Sequence, residues 1–321
     1  VVAQYEVSEH LPPLLAAPVA GTTKSAVAAQ LVHLAVRGAL RIEDGQEPTG
    51  LFKTGKPQPV LRLLDRDRAG DGLDRRTLTD LFGGADPGTA FTLPKKDEKF
   101  GQRMQQLAKE GVTQSTKRGY FEQIRNRTAA ALGLGAVILG GASVFLAFVG
   151  IGRENGLTLG LSIPFGVIAI ILGVVGIAKH RVHTPRGAEA REHLEGVREF
   201  IRVAEADRLR VLQGYSGAQR RADGSVDVVE LYEKLLPYAM LFGLEKEWGR
   251  VLEVVYRDSG VTSPLWYPAL GVHGLASLDR TISSFSDSFT SSVSYTSSSS
   301  GGTSGGGFSG GGGGGGFSGG R

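Results

Sequence analysis

Two long apolar runs, set almost back to back, constrain this chain more than any other feature. No charged residue occurs from Thr128 to Gly152, and none from Leu157 to Ala178. Only Arg153, Glu154, Asn155 and Gly156 separate the two runs. A helix of about 20 apolar residues crosses the hydrocarbon core of a bilayer, and each run reaches that length. Backbone groups find no water there, so each run must satisfy its hydrogen bonds internally, as a helix. The expectation is a two-span transmembrane helical hairpin, 128–152 and 157–178, with its tip on one side and both ends on the other. The bland alternative, a hydrophobic hairpin buried in a large soluble protein, fits the basic flanks poorly.

Those flanks set the orientation. Lys117, Arg118, Arg125 and Arg127 precede the first run, and Lys179, Arg181 and Arg186 follow the second. Excess Lys and Arg beside span ends marks the cytoplasmic side. The expected location is therefore the inner (plasma) membrane, multi-pass, with the soluble regions cytoplasmic. Inside the runs no ionisable residue marks a transport path. Pro164 interrupts the second run. Small residues recur four apart, at Ala129 and Gly133, Ala131 and Gly135, Ala136 and Gly140, and Ala169 and Gly173. Such pairs let helices approach closely. Packing of the two arms on each other outweighs oligomerisation as their use.

Composition narrows the chemistry. The 321 residues include 48 Gly and no Cys, which excludes disulfides, thiol catalysis and thiolate zinc sites. Residues 1–127 carry 19 basic against 15 acidic side chains, and residues 179–279 carry 14 against 15. Neither region has the clustered positive charge of a nucleic-acid binder, so nucleic acid is an unlikely partner.

Before the apolar runs, 1–21 is Pro- and Ala-rich and reads as an extended lead-in. Thr22 or Thr23 can cap a helix running to Arg37, with Val27, Leu31 and Leu34 inward and Gly38 after its end. Strands are expected at 40–43, 51–53, 60–64 and 91–93, and helices at 73–82 and 95–109. A helix followed directly by a hairpin has the silhouette of a winged helix. Arg118, Gly119, Tyr120 and Phe121 echo Arg37, Gly38, Ala39 and Leu40. Lys24, His33 and Arg37 are too few for a DNA recognition helix, so the module reads as a winged-helix-like interaction unit. After the runs, Thr184 and Pro185 open a helix to Leu212 with Leu194, Val197, Ile201 and Ala204 inward. Further helices span 226–236, broken at Pro237, and 245–256, with Trp248, Leu252 and Val255 inward. From Arg280 onward Ser and then Gly dominate, with scattered Phe and Tyr, and the expectation is a low-complexity disordered tail.

No catalytic constellation emerges. The histidines are His10, His33, His180, His183, His193 and His273. His180 and His183 would share one helix face, but they sit among cations, and interfacial anchoring explains them better than a metal. No Walker loop and no GxSxG elbow occurs. Asp223–Asp227 has the start of a calcium loop without its remaining ligands. The expected catalytic, cofactor and metal residues are none, no small-molecule substrate is identified, and the chain is not expected to be an enzyme.

Four stretches carry a family resemblance: LVHLAVRGALRIED at 31–44, RGYF at 118–121, TPRGAEAREHLEGVREFIRVAEADRLR at 184–210 and LLPYAMLFGLEKEW at 235–248. With the Ser-then-Gly tail, they resemble the YciQ-like family of predicted bacterial membrane proteins, a domain of unknown function. The resemblance covers nearly the whole chain. It implies an extracytoplasmic β-rich domain and a further membrane span upstream, and it carries no catalytic residue over.

The reading from sequence is a mainly α membrane protein. It comprises a winged-helix-like α+β cytoplasmic module at 1–127, a transmembrane hairpin at 128–178, a helical cytoplasmic domain at 179–279 and a disordered tail at 280–321. Its expected role is that of a membrane-anchored scaffold or interaction protein, with the lipid bilayer and protein partners, or a second copy of itself, as what it binds. The alternative is a membrane-tethered winged-helix DNA-binding regulator. The two soluble regions are expected to pack on each other, because a hairpin returns the chain to the face it left.

Overall fold

A computed structural model of the chain describes residues 7, 10–22, 25–45, 57–70, 72–95, 97–124, 127–152, 156–177, 180–206 and 228–293. Several expected features lie outside these residues: the 51–53 strand, the Arg153–Asn155 tip, the 213–225 loop with its acidic run, and the tail beyond Val293.

The described structure is mainly helical with small sheets. Before the apolar pair come α1 (Pro13–Ala20), α2 (Ala26–Val36), β1 (Leu40–Glu43), β2 (Val60–Leu63), α3 (Gly72–Phe82), β3 (Ala90–Thr92) and α4 (Glu98–Lys117). The pair itself is α5 (Arg127–Gly152) and α6 (Gly156–Ile177), flanked by β4 (Phe121–Ile124) and β5 (His180–His183). Then follow α7 (Pro185–Ala206), α8 (Val228–Phe242), α9 (Glu245–Asp258), the single turn α10 (Leu270–His273) and α11 (Leu278–Val293). Strands β1, β2 and β3 form one antiparallel sheet in that order, and β4 pairs with β5.

The segment expected to be extended at 1–21 contains α1 instead. Pro12 and Pro13 occupy its N-cap and first position, where a missing N–H costs nothing. Gly21, in the left-handed region at φ 73°, ends it, and the Thr22 N–H reaches back to the Ala17 carbonyl. Apolar Leu14, Leu15, Ala16, Ala17 and Val19 are all buried, so tertiary burial rather than periodicity makes this helix. Thr22 does not cap α2, which starts at Ala26 after Ser25. The Thr22 hydroxyl donates to the Leu241 carbonyl at 2.9 Å instead, tying α1 to α8.

Helix α4 runs eight residues past its expected end. Asp97 caps it, accepting from the Phe100 N–H at 3.0 Å. Gly111 does not break it. A Cβ there would collide with the Leu14 carbonyl of α1, so the glycine is what lets the two helices touch. That carbonyl has no helical partner four residues on, where Pro18 has no N–H. Helix α8 likewise runs through Pro237 to Phe242. Its flanks, Leu235, Leu236, Tyr238 and Ala239, are buried, and their packing outweighs one lost backbone bond. Gly243 then ends the helix at φ 69°, with the Leu244 N–H bonded to the Ala239 carbonyl.

The RGAL and RGYF echo has a local physical basis. Gly38 and Gly119 are both left-handed, at φ 77° and 78°, each ending a helix and feeding a strand. The bonds match too: Ala39 N–H to Leu34 O and Tyr120 N–H to Ser115 O, both at backbone distance. What is repeated is a helix cap leading into a strand.

The two soluble regions share one apolar core. Helix α8 packs on α2, and the Tyr238 hydroxyl donates to the Leu11 carbonyl at 2.9 Å. Among the C-terminal aromatics, Trp248 stacks on Tyr232 of α8 while Tyr238 reaches Leu11, and on the N-terminal side the Phe100, Met104 and Leu107 face of α4 is buried. That face is covered by α11. Phe289 lies edge-on to Phe100 at 6.3 Å, and Ile282, Phe285 and Phe289 are buried. The start of the tail at Arg280 is therefore corrected: 280–293 completes an amphipathic helix whose apolar residues recur at helical spacing. Because the segments before and after the apolar pair build this core together, they are not separate modules.

A carboxylate sits inside it. Asp74, on α3, accepts from the Gln30 side chain at 2.6 Å and from the Gly70 N–H at 2.9 Å, and His33 lies 3.6 Å away. Gln30 also accepts from the Leu14 N–H at 3.2 Å, one of α1's orphan donors. Burial raises the Asp74 pKa, but His33 and these hydrogen bonds outweigh it and hold the carboxyl below its ordinary value.

Helices α5 and α6 lie antiparallel. A Cβ added at Gly140 would lie 3.7 Å from the Ala169 Cβ, one at Gly173 3.8 Å from the Ala136 Cβ. The Ser143 hydroxyl donates to the Ser162 carbonyl at 2.7 Å across the pair. Gly135, Ala136, Gly140, Ala169 and Gly173 of the four-apart set thus lie at the contact between the arms, whereas a Cβ at Gly133 would meet nothing within 4 Å. Among the described residues, one helical stretch, Gly133–Gly152, is long and apolar enough to cross a membrane. The apolar part of α6, Gly160–Gly173, is shorter.

Candidate functional site

The two ends of the apolar pair enter the soluble body through one joint, built from the RGYF and TPRG stretches. Chain direction explains why they meet. β4 carries the chain away from α4 and β5 brings it back, with Phe121 opposite His183 and Ile124 opposite His180. Thr184 then lies beside Gly119 and Tyr120. Its N–H bonds the Tyr120 carbonyl at 3.2 Å. Its hydroxyl donates to the Gly119 carbonyl at 2.6 Å and accepts from the Gly187 N–H at 3.0 Å. One hydroxyl thereby caps the start of α7 and satisfies a carbonyl at the end of α4.

Two further contacts brace the joint. Arg186 donates to the Arg118 carbonyl at 3.1 Å while its guanidinium lies 5.1 Å over the Tyr120 ring. The His183 ring lies tilted against Phe121 at 4.6 Å between ring centres, and its Nε2 is 3.1 Å from the Val19 carbonyl of α1. A carbonyl only accepts, so Nε2 carries the proton. Gly187 admits no side chain, because a Cβ would strike the Tyr120 carbonyl. Helix α4, the ribbon, α7 and α1 are locked to one another within a few residues of both ends of the apolar pair.

Chemically this is a mechanical site. Its partners are backbone carbonyls, a hydroxyl engaged on both sides and an imidazole that donates. It ties the two ends of the apolar pair to α4, α7 and α1 together.

The histidines singled out in the sequence are dispersed. His180 and His183 stand on a strand, not on the helix face expected of them. His33 is turned inward to Asp74 rather than exposed. His273 bonds Asp44 at 2.6 Å, and Tyr267 also donates to Asp44, fastening the α9–α11 connection to the end of β1. Burial pushes the Tyr267 hydroxyl up, and the bond to Asp44 adds to it. Among the described residues no group of three or more His, Asp or Glu side chains could hold a metal ion. Thr184, Arg186, Gly187 and Val19 were not recognisable as one site in the sequence. The usable signal was topological: both motifs fall within a few residues of the ends of a hairpin, which must lie side by side.

An exposed apolar helix joined at both feet to a single core is the architecture of a membrane protein. The chain belongs to the family described as predicted membrane protein (DUF2207), C-terminal domain, whose model matches residues 2–252. That span contains the joint and the motifs on which the family resemblance rests. No curated protein and no solved structure matches the chain.

Proposed function

We propose that this chain is a non-catalytic, membrane-anchored interaction protein. Helices α5 and α6 both cross the inner (plasma) membrane, and the shared core stands on the cytoplasmic side as a scaffold for protein partners or a second copy. The observation that carries this reading is the joint: both arms are stitched to one core, so whatever the core binds is held at the membrane. Support for two spans comes from the outward faces. Val137, Phe145 and Phe148 on α5 and Leu157, Ile163 and Ile170 on α6 are exposed, which water disfavours and lipid accepts. The basic residues beside both feet support the cytoplasmic placement.

The winged-helix likeness is kept as a likeness of the α2–β1–β2 unit, used for packing. Helix α2 is buried along nearly its whole length and covered by α8, leaving no face to enter a DNA groove. This weighs against the DNA-binding regulator.

The chain has no Cys, so single cysteines report cleanly. Asn155→Cys and Lys246→Cys are introduced separately and intact cells treated with a membrane-impermeant thiol reagent. Labelling at position 155 alone is expected. Labelling at 246 but not at 155 inverts the topology, labelling at both removes the second crossing, and labelling at neither before lysis but at both after it removes the crossing of the pair altogether.

A further inference from the structure

We propose that the cleft where the sheet meets the C-terminal helices binds a small carboxylate carried on an apolar body. The cleft has a volume of about 530 Å³ and is walled by Val36, Leu64, Val229, Val261, Leu265 and Trp266. That size, apolar wall and position between two parts of a fold are those of small-ligand sites. Leu265, at the wall, is 83 % exposed, an apolar side chain held in water.

Four charged residues reach the cleft: Arg41, Asp65, Arg68 and Glu233. Arg68 lies 3.6 Å from Asp65. Glu233 accepts from the Tyr256 hydroxyl at 2.7 Å, which in turn accepts from the Trp266 indole at 3.0 Å. Arg41 is differently placed. It stands directly opposite Arg62 in the β1–β2 ladder, where like charges repel. Arg62 takes both oxygens of Glu43, at 2.7 and 2.9 Å, while Arg41 comes no nearer than 4.0 Å to the same carboxylate. The Arg41 Nε–H is buried and has no acceptor among the described residues. A buried donor without an acceptor is costly, and the rest of the Arg41 side chain, 34 % exposed, is what lines the cleft.

A guanidinium matches the two oxygens of a carboxylate. The formal charges of the four lining residues cancel, so a monoanion is tolerated where a phosphate dianion meets Asp65 and Glu233 uncompensated. The rest of the ligand lies against Val229, Val261, Leu265 and Trp266.

The full-length chain in lipid nanodiscs is titrated calorimetrically with 4-phenylbutyrate, with empty nanodiscs subtracted. Saturable binding is expected, weakened about tenfold or more by Arg41→Gln, the worth of one charge-assisted hydrogen bond. Leu265→Asp, at an exposed position that does not endanger the fold, weakens it by charge at the wall. Lys109→Gln, in a separate cleft between α3 and α4, leaves it unchanged. No saturable binding, equal binding of neutral 4-phenylbutanol, or full binding by a folded Arg41→Gln variant overturns the proposal.

Discussion

Phe148 of α5 and Phe100 of α4 are the same side chain in opposite circumstances: the first is 79 % exposed, the second 0 %. The α5–α6 pair turns its large residues outward and touches itself through Gly, Ala and Ser. The soluble body turns its large residues inward and keeps its charges outside. The difference supports the proposal that the two parts are built for different solvents. In the body, burial removes apolar surface from water and supplies the driving force. In the pair, that driving force is absent once lipid replaces water, and close approach of small residues takes over.

The comparison is broken most severely by removing α11. Truncation after Asp279 strips Ile282, Phe285 and Phe289 from α4 and α9 and should cost roughly 5 kcal/mol or more, comparable to the whole stability of a domain. Limited proteolysis should then degrade the body, and α5 and α6 should survive it if both lie in the bilayer as proposed. A truncated protein with an unchanged protease pattern would mean that α11 is not part of the core.

Next comes the joint. Gly187→Ala drives a methyl into the Tyr120 carbonyl and should lower stability by about 1–3 kcal/mol or more. Gly133→Ala, which meets nothing within 4 Å on α5, should be neutral. Thermal unfolding of both in nanodiscs separates them, and equal midpoints would deny the joint its close contact.

Asp74 sharpens the contrast from inside the body. Asp74→Asn keeps the shape but loses the charge facing His33, at an expected cost of about 1–3 kcal/mol near neutral pH. Because the folded carboxyl lies below its ordinary 3.8, its contribution is present above that value and is lost as pH falls through the folded pKa. Denaturant midpoints measured downward from about pH 5 should fall more steeply for the native chain than for the variant. Parallel curves would contradict the shift.

The smallest effect is expected at Phe148→Ala. Its removal from a lipid-facing position should change body stability by less than about 0.5 kcal/mol, against about 3–5 for Phe100→Ala. A large loss at Phe148 would mean that this face is covered by protein.

Much of the candidate joint was legible in pieces. Thr184 as a helix cap, the echo of Arg37–Leu40 in Arg118–Phe121 and the two apolar runs all follow from local patterns. That the cap of α7 and the end of α4 share one hydroxyl was not, since no local pattern says which carbonyl a threonine will meet. Helix α11 is the opposite case. Its Ile282, Phe285 and Phe289 recur at helical spacing, but Ser-rich composition hid the period.

By itself the sequence determined what short-range chemistry determines: a helix end at Gly38, a helix start at Thr184, where charge is absent, and which stripes face inward along α7 and α9. The tertiary structure alone decided that 13–20 is a helix, that α8 continues through Pro237, that 280–293 belongs to the core, and that residues on either side of the apolar pair build one body. The reason is physical. A cap or a period is encoded within one or two turns of chain, whereas the stability of a proline-bearing or serine-rich helix comes from apolar surface offered by residues more than a hundred positions away, such as Phe100 to Phe289 and Leu11 to Tyr238.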